Sequence, residues 1–195
     1  MTRDCKLVIL GDSQVGKTSL VHYFVNDEFR AGFKETIGAE VSSKYETIDN
    51  RQIHVLIWDT AGQERYKSIT KQFFRGADAC ILVADLTNIQ SFESLPSWLD
   101  NLLSEVEKTS DEFPIVLFAN KSDLAEQRTV TPEIVERYSK AIHCQSFEVS
   151  AKTGENIEEG FVAILRNFLS NLRIIQDTII QPVDINENSQ NKSCC

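Results

Sequence analysis

The chain has 195 residues and a formal net charge of −9, with 42% hydrophobic and 25% charged residues. That length suits one well-buried domain plus a tail and is short for two, and the composition is ordinary for a soluble globular protein. The acidic balance argues against nucleic acid, whose phosphates it would repel, and gives anionic lipid little to attract by charge alone.

The first element is the apolar run CKLVILG, expected as a strand over 5–10. Its apolar stretch is too short for a signal peptide, residue 2 is threonine rather than the glycine of N-myristoylation, and no segment approaches the ~18 apolar residues of a spanning helix. A cytosolic start is therefore expected. The strand opens directly into GDSQVGKTSL, in which Gly11, Gly16, Lys17 and Thr18 fill the pattern G-x-x-x-x-G-K-[ST]; Leu20, Val21, Phe24 and Val25 then recur at helical spacing. Strand, tight loop and helix are the context this phosphate-binding motif requires. A polyphosphate needs many converging donors, so the backbone around Ser13, Gln14, Val15, Gly16 and Ser19 is expected to turn its N–H groups inward, helped by the positive end of the helix. Lys17 is suited to the β- and γ-phosphates and the Thr18 hydroxyl to Mg²⁺.

Next, VSSKYETID and QIHVLIWD, joined through Asp49-Asn50, read as a hairpin with one antiparallel edge strand, the second strand covering 53–58. Further strands are expected over 79–85, 114–119 and 145–149, mostly separated by helical patterns, and this alternation predicts a parallel sheet with helices on both faces. A helix is expected near 91–107, starting late or kinking at Pro96, which lacks the N–H an interior position needs. The last helix carries the stripe Ile157, Phe161, Ile164, Leu165, Phe168 and Leu172, with Asn156 expected to cap it and Glu159 three residues on. It can continue beyond residue 173 until Pro182 interferes; the remainder to 195 is polar and forms no core. The organisation expected is a domain over 1–172 and a flexible tail over 173–195. Cys5, Cys80 and Cys144 lie in or beside apolar runs and read as buried thiols of a reducing compartment, whereas His22, His54 and His143 are too scattered to ligate a metal.

Asn120-Lys121-Ser122-Asp123 stands at the carboxyl end of the strand PIVLFA, on the ligand-binding edge of an open α/β sheet. A carboxylate there can accept from guanine N1–H and the exocyclic amine together, a donor pair adenine lacks, so Asp123 selects guanine and disfavours an ATPase. Ser150-Ala151-Lys152 follows the next strand, SFEVS, and its small residue leaves a backbone N–H free for a carbonyl on the base.

GDSQVGKT, ETIG, WDTAGQE, NKSD and SAK, in this order and spacing, closely resemble the Ras superfamily of small GTPases over about residues 5–172. TIGAE, WDTAGQERY, RGADACILVADLT and the terminal CC look like its Rab branch, since Ras and Rho relatives usually end in CaaX. SLPSWLDNLLSEV and DEFPIVLFANKSDL are similar to the late-endosomal and lysosomal Rabs. The resemblance implies a P-loop G domain with a six-stranded, mostly parallel sheet and one antiparallel edge strand. It implies GTP/GDP and Mg²⁺ as ligands, Thr36 as a second hydroxyl on the ion, Asp59 holding one of its waters, Gly62 sensing the γ-phosphate and Phe29 packing on guanine. Ile37, Val41, Trp58 and Phe73 would form the surface that effectors read.

Gln63 stands where the family's water-orienting glutamine stands, which implies hydrolysis. Nothing in the chain resembles an arginine finger, so unaided turnover is expected to be slow, on the order of 10⁻⁴ to 10⁻² per second, with a partner finishing the site. The output would be γ-phosphate ordering of residues near 32–41 and 62–75. A scaffold that holds GTP without cutting it is the competing reading, and the intact Gln63 and Thr36 favour the switch. Two residues depart from the pattern: Gln14, where many relatives carry a small residue, and Val41, where Rabs usually carry phenylalanine.

The resemblance further implies prenylation of Cys194 and Cys195. Between Arg173 and Cys195 stand two basic residues, Arg173 and Lys192, against three acids, so two lipid chains are needed where charge cannot help. Implied partners are an exchange factor, a GTPase-activating protein, effectors, a prenyl-protein escort and a GDP-dissociation inhibitor. The chain would act as a monomer cycling from cytosol to the cytoplasmic face of late endosomes or lysosomes.

Overall fold

The computed structural model describes residues 2–30, 32, 36–62 and 72–180, with side chains described through Leu172. Six strands form one sheet: β1 (Arg3–Leu10), β2 (Ala39–Ile48), β3 (Arg51–Thr60), β4 (Ala79–Asp85), β5 (Ile115–Asn120) and β6 (Gln145–Glu148), in the order β2-β3-β1-β4-β5-β6. The β2–β3 pairing is antiparallel and the others are parallel. This is the sheet the alternation of strands and helices predicted. The hairpin turns at Asp49 and Asn50, with φ of 49° and 62°. Two consecutive left-handed residues match the right-handed twist of the strands they join, and Asp and Asn tolerate that backbone well.

Alternation along β1 splits the core into two. Cys5, Leu7 and Ile9 face one layer, packed with Leu20, Val21 and Phe24 of α1 (Lys17–Asn26) and with Phe161, Ile164, Leu165 and Phe168 of the last helix. Val8 and Leu10 face the other layer, packed with Phe92 of α2 (Ile89–Glu93), Leu95, Trp98, Leu99 and Leu102 of α3 (Leu95–Val106) and Val135 of α4 (Pro132–Ala141). The rings of Phe24 and Phe161 stack with centroids 3.7 Å apart, locking α1 to the last helix. Cys5 and Cys80 are fully buried and Cys144 half-buried, and burial pushes all three thiols up, Cys144 to about 12. They are inert structural thiols.

The break expected at Pro96 is present. Asn88 caps α2 by accepting from Gln90 N–H, the helix stops at Glu93, and α3 restarts so that Pro96 falls in its first turn, where a missing N–H costs nothing. The capping expected at the last helix, α5 (Ile157–Ile180), is corrected. Asn156 has a left-handed φ of 54°, and its Nδ2 donates backward to the Glu148 carbonyl at 2.8 Å. A capping box needs extended backbone at that position, so Asn156 ties the helix to β6 instead. The helix runs beyond residue 173, as expected, to Ile180. Among the described residues no helix is long and apolar enough to cross a membrane, and none of the histidines belongs to a metal-holding cluster.

Candidate nucleotide-binding site

The carboxyl ends of β3 and β5 and the loops after β1, β3, β5 and β6 surround a cleft of about 1020 Å³. Its lining includes Ser13, Gln14, Gly16, Lys17, Thr18, Ser19, Phe29, Thr36, Gly62, Asn120, Lys121, Asp123, Ala151 and Lys152. Two other residues expected to contact nucleotide stand behind this wall: Val15 is buried in the first core and Ser150 is fully buried. Gln63 and the cysteines Cys194 and Cys195 lie outside the described residues.

The phosphate loop is held by glycines that no other residue could replace. A Cβ on Gly11 would fall 2.1 Å from the Val83 carbonyl oxygen, and one on Gly16 would fall 2.3 Å from Asn120 Nδ2, each at a positive φ. Gln14 adopts φ 65° and is exposed. It pays a strain that glycine would avoid, with its side chain outside the packed wall. Lys17 opens α1, is 6% exposed, and donates through Nζ to the carbonyls of Gly11 and Asp12 at 2.8 and 2.7 Å. Burial pushes its ammonium down to about 8, against the pull of Asp59 and Asp12.

Beside Lys17, Thr18 Oγ1 donates to Asp59 Oδ2 at 2.5 Å and lies 2.9 Å from Thr36 Oγ1. Asp59 is 3% exposed, burial raises its pKa, and its Oδ1 has no hydrogen-bond partner among the described residues. A buried carboxylate oxygen without a partner is costly, and it stands beside two hydroxyls at the phosphate end of the cleft. These are hard oxygen donors of the kind that hold Mg²⁺ together with waters and phosphate oxygens. The three residues expected around the ion are thus brought together and fit it.

At the other end, Asn120 is 1% exposed and uses both ends of its amide. Nδ2 donates to the Val15 carbonyl at 2.7 Å, and Oδ1 accepts from Ala151 N–H at 3.2 Å. It therefore joins the phosphate loop to the loop after β6. Asp123 Oδ1 accepts from Ser150 Oγ at 2.7 Å, and Lys152 Nζ stands 3.8 Å from its other oxygen. Lys121, at φ 70°, pairs with Asp85. Phe29 is 43% exposed along the cleft.

Val41 and Trp58 are direct cross-strand partners, and the Trp58 and Phe73 rings lie 5.8 Å apart. Lys6 Nζ sits 4.2 Å over the Trp58 ring, and Ile37 is 80% exposed. Three of the four residues expected to face effectors thus form one patch, with Ile37 on the loop before β2.

Sequence reasoning missed Asp12, Asp85, Ser94 and Trp98. Asp12 accepts from Ser94 Oγ and Trp98 Nε1, both at 2.8 Å. No local signal marks it, because its partners are 82 and 86 residues away. Asp85 was within reach, since it ends β4 opposite Asn120 in the parallel ladder, beside Lys121.

The Ras family, as a protein-family profile, matches residues 6–170. "Ras-related protein Rab-7a" of Paramecium octaurelia is 45% identical over 163 residues, covering 83% of this chain and 79% of that protein. "Ras-related protein Rab-7a" of Dictyostelium discoideum is 41% identical over 188 residues, covering 93% and 88%. "Ypt/Rab-type GTPase ypt7" of Schizosaccharomyces pombe is 39% identical over 199 residues, covering 97% and 95%.

Proposed function

Since this chain belongs to the Ras family, and within it to the Rab-type small GTPases, we propose that the cleft binds GTP and GDP with Mg²⁺ and works as a slow switch in endosomal or vacuolar membrane traffic. The observation that carries the reading is the convergence of three groups in one cleft: Lys17 with the glycine loop, the Thr18–Thr36–Asp59 oxygens, and Asp123 with Ala151.

In this reading the loop N–H groups and Lys17 receive the polyphosphate, and Asp123, held by Ser150, accepts from the two donors of guanine while the Ala151 N–H faces its carbonyl. Ala151 N–H also donates to Asn120, so the bond to the base is shared. Phe29 covers the base. Thr18 and Thr36 would supply hydroxyls to Mg²⁺ and Asp59 would hold one of its waters; when bound, the ion would neutralise phosphate charge. Gln63 orients the attacking water, since its amide can accept from the water and donate to a phosphate oxygen. A GTPase-activating protein completes the site, and an exchange factor releases GDP.

Effectors read the Val41, Trp58 and Phe73 patch with Ile37. Prenyl groups on Cys194 and Cys195 attach the protein to membrane, and an escort protein and a GDP-dissociation inhibitor carry it through the cytosol. The test is phosphate release from purified protein loaded with GTP, alone and with an extract containing an activating protein. Gln63→Leu should bind GTP and fail to accelerate; acceleration equal to the parent would remove Gln63 from the reaction, and no hydrolysis by the parent would make the protein a scaffold.

A further inference from the structure

Asp12 occupies a variable place in the phosphate-loop pattern, yet both oxygens of its carboxylate are held by donors distant in sequence. Oδ2 accepts from Ser94 Oγ and Oδ1 from Trp98 Nε1, each at 2.8 Å. One donor on each oxygen fixes both the position and the rotation of the group. The indole is a rigid donor with a single N–H, and Trp98 is 3% exposed in the second core alongside Leu95, Leu99 and Leu102. The hydroxyl comes from Ser94, at the junction between α2 and α3.

The backbone of the same residue faces the reaction site. The Asp12 carbonyl accepts from Lys17 Nζ at 2.7 Å. A Cβ on Gly62 would fall 2.4 Å from the Asp12 carbonyl carbon and oxygen and 2.4 Å from Lys17 Nζ. One residue therefore links α3, the phosphate-binding lysine and the glycine at the γ-phosphate side.

We propose that Asp12 is a positioning residue: α3, through Ser94 and Trp98, sets the phosphate loop so that Lys17 stands where the β- and γ-phosphates are received. The inference rests on the nucleotide reading above and adds a control point to it. A turn alone would be served by Ser or Asn at this position. A carboxylate with two donors from a helix on the second core makes the loop follow that helix.

The test uses the full chain loaded with N-methylanthraniloyl-GDP and Mg²⁺, following release into excess GDP. Trp98→Phe keeps an aromatic ring but loses the N–H together with part of the buried volume of the indole; Ser94→Ala, which removes only the hydroxyl, is the milder second variant. Losing a hydrogen bond to a charged group should speed GDP release about tenfold in Trp98→Phe and by a smaller factor in Ser94→Ala. The double variant Asp12→Ala/Trp98→Phe should release no faster than Asp12→Ala alone. Competition by GMP, which lacks the β-phosphate, separates positioning from general loosening: its affinity should stay within about twofold of the parent's while that for GDP falls. Release at the parent rate in Trp98→Phe, equal weakening of GMP and GDP, or multiplied effects in the double variant would each overturn the proposal. A parent chain that binds no guanine nucleotide would overturn the underlying reading instead, and the two failures are told apart by the parent alone.

Discussion

Replacing Asn120 by alanine tests whether the base end and the phosphate end of the cleft are one mechanical unit. The substitution removes the donor to the Val15 carbonyl and the acceptor for Ala151 N–H, both buried, 2.7 and 3.2 Å long. Water cannot easily replace them where Asn120 is 1% exposed. Each buried backbone group left unpaired costs about 1–3 kcal/mol, so the pair should cost about 2–6 kcal/mol. A loss of about 3 kcal/mol would change an equilibrium constant more than a hundredfold. Two measurements follow: urea unfolding of parent and variant at the same GDP concentration, because bound ligand adds to apparent stability, and the rate of GDP release. Asn120→Asp keeps the acceptor for Ala151 but turns a carboxylate toward the Val15 carbonyl, so it should recover little. If Asn120→Ala unfolds within about 0.5 kcal/mol of the parent, the scale of an ordinary surface change, and holds GDP equally long, the bridging role is wrong.

Gly11→Ala should be worse for folding than any change on the cleft surface. Its Cβ would meet a backbone carbonyl of β4 at 2.1 Å, which no side-chain movement relieves, and a loss of about 3 kcal/mol or more in urea unfolding is expected. Asp123→Asn should weaken GTP and favour xanthosine nucleotides, whose C2 carbonyl calls for a donor; unchanged GTP affinity in a competition titration would sink the base assignment. Changing Cys194 and Cys195 together to serine should move the protein from the membrane fraction to cytosol with nucleotide binding intact, since affinity of about 0.8 kcal/mol per buried prenyl CH₂ is lost and the tail has little charge to replace it. A double-serine protein that still pellets with membranes would place the anchor elsewhere.

How much of this was legible in the sequence depended on distance along the chain. Gly11 to Thr18, NKSD and SAK are contiguous strings whose chemistry is local, so they could be read before the fold was known. The β2–β3 hairpin was legible for the same reason, through its turn and its two apolar alternations. The break at Pro96 follows from a missing N–H and needs no tertiary information. Asn120 showed itself as part of a motif, but its use of both amide ends did not, because Val15 lies 105 residues away. Asp12 gave no sign for the same reason. Asn156 was misread because a polar residue before a helical stripe is compatible with more than one backbone, and the pull of the Glu148 carbonyl decided between them.

The path of α5 has a consequence for how the molecule meets its surroundings. The helix begins just after the Ser150–Glu155 turn, on the nucleotide edge of the sheet, and Asn171, fifteenth of its 24 residues, donates to the carbonyl of Glu112, shortly before the amino end of β5. The stretch from Ile157 to Asn171 therefore crosses the sheet from one pole to the other, about 21 Å at 1.5 Å per residue, and the helix continues for nine residues more to Ile180. The chain leaves at the pole away from the nucleotide. From Ile180, fifteen residues remain to Cys195, enough covalent length for at most ~50 Å. If the lipids sit at that end, the nucleotide edge of the domain lies at the opposite pole from the point where the chain departs toward them, so a partner can reach the cleft from the side turned away from the anchor.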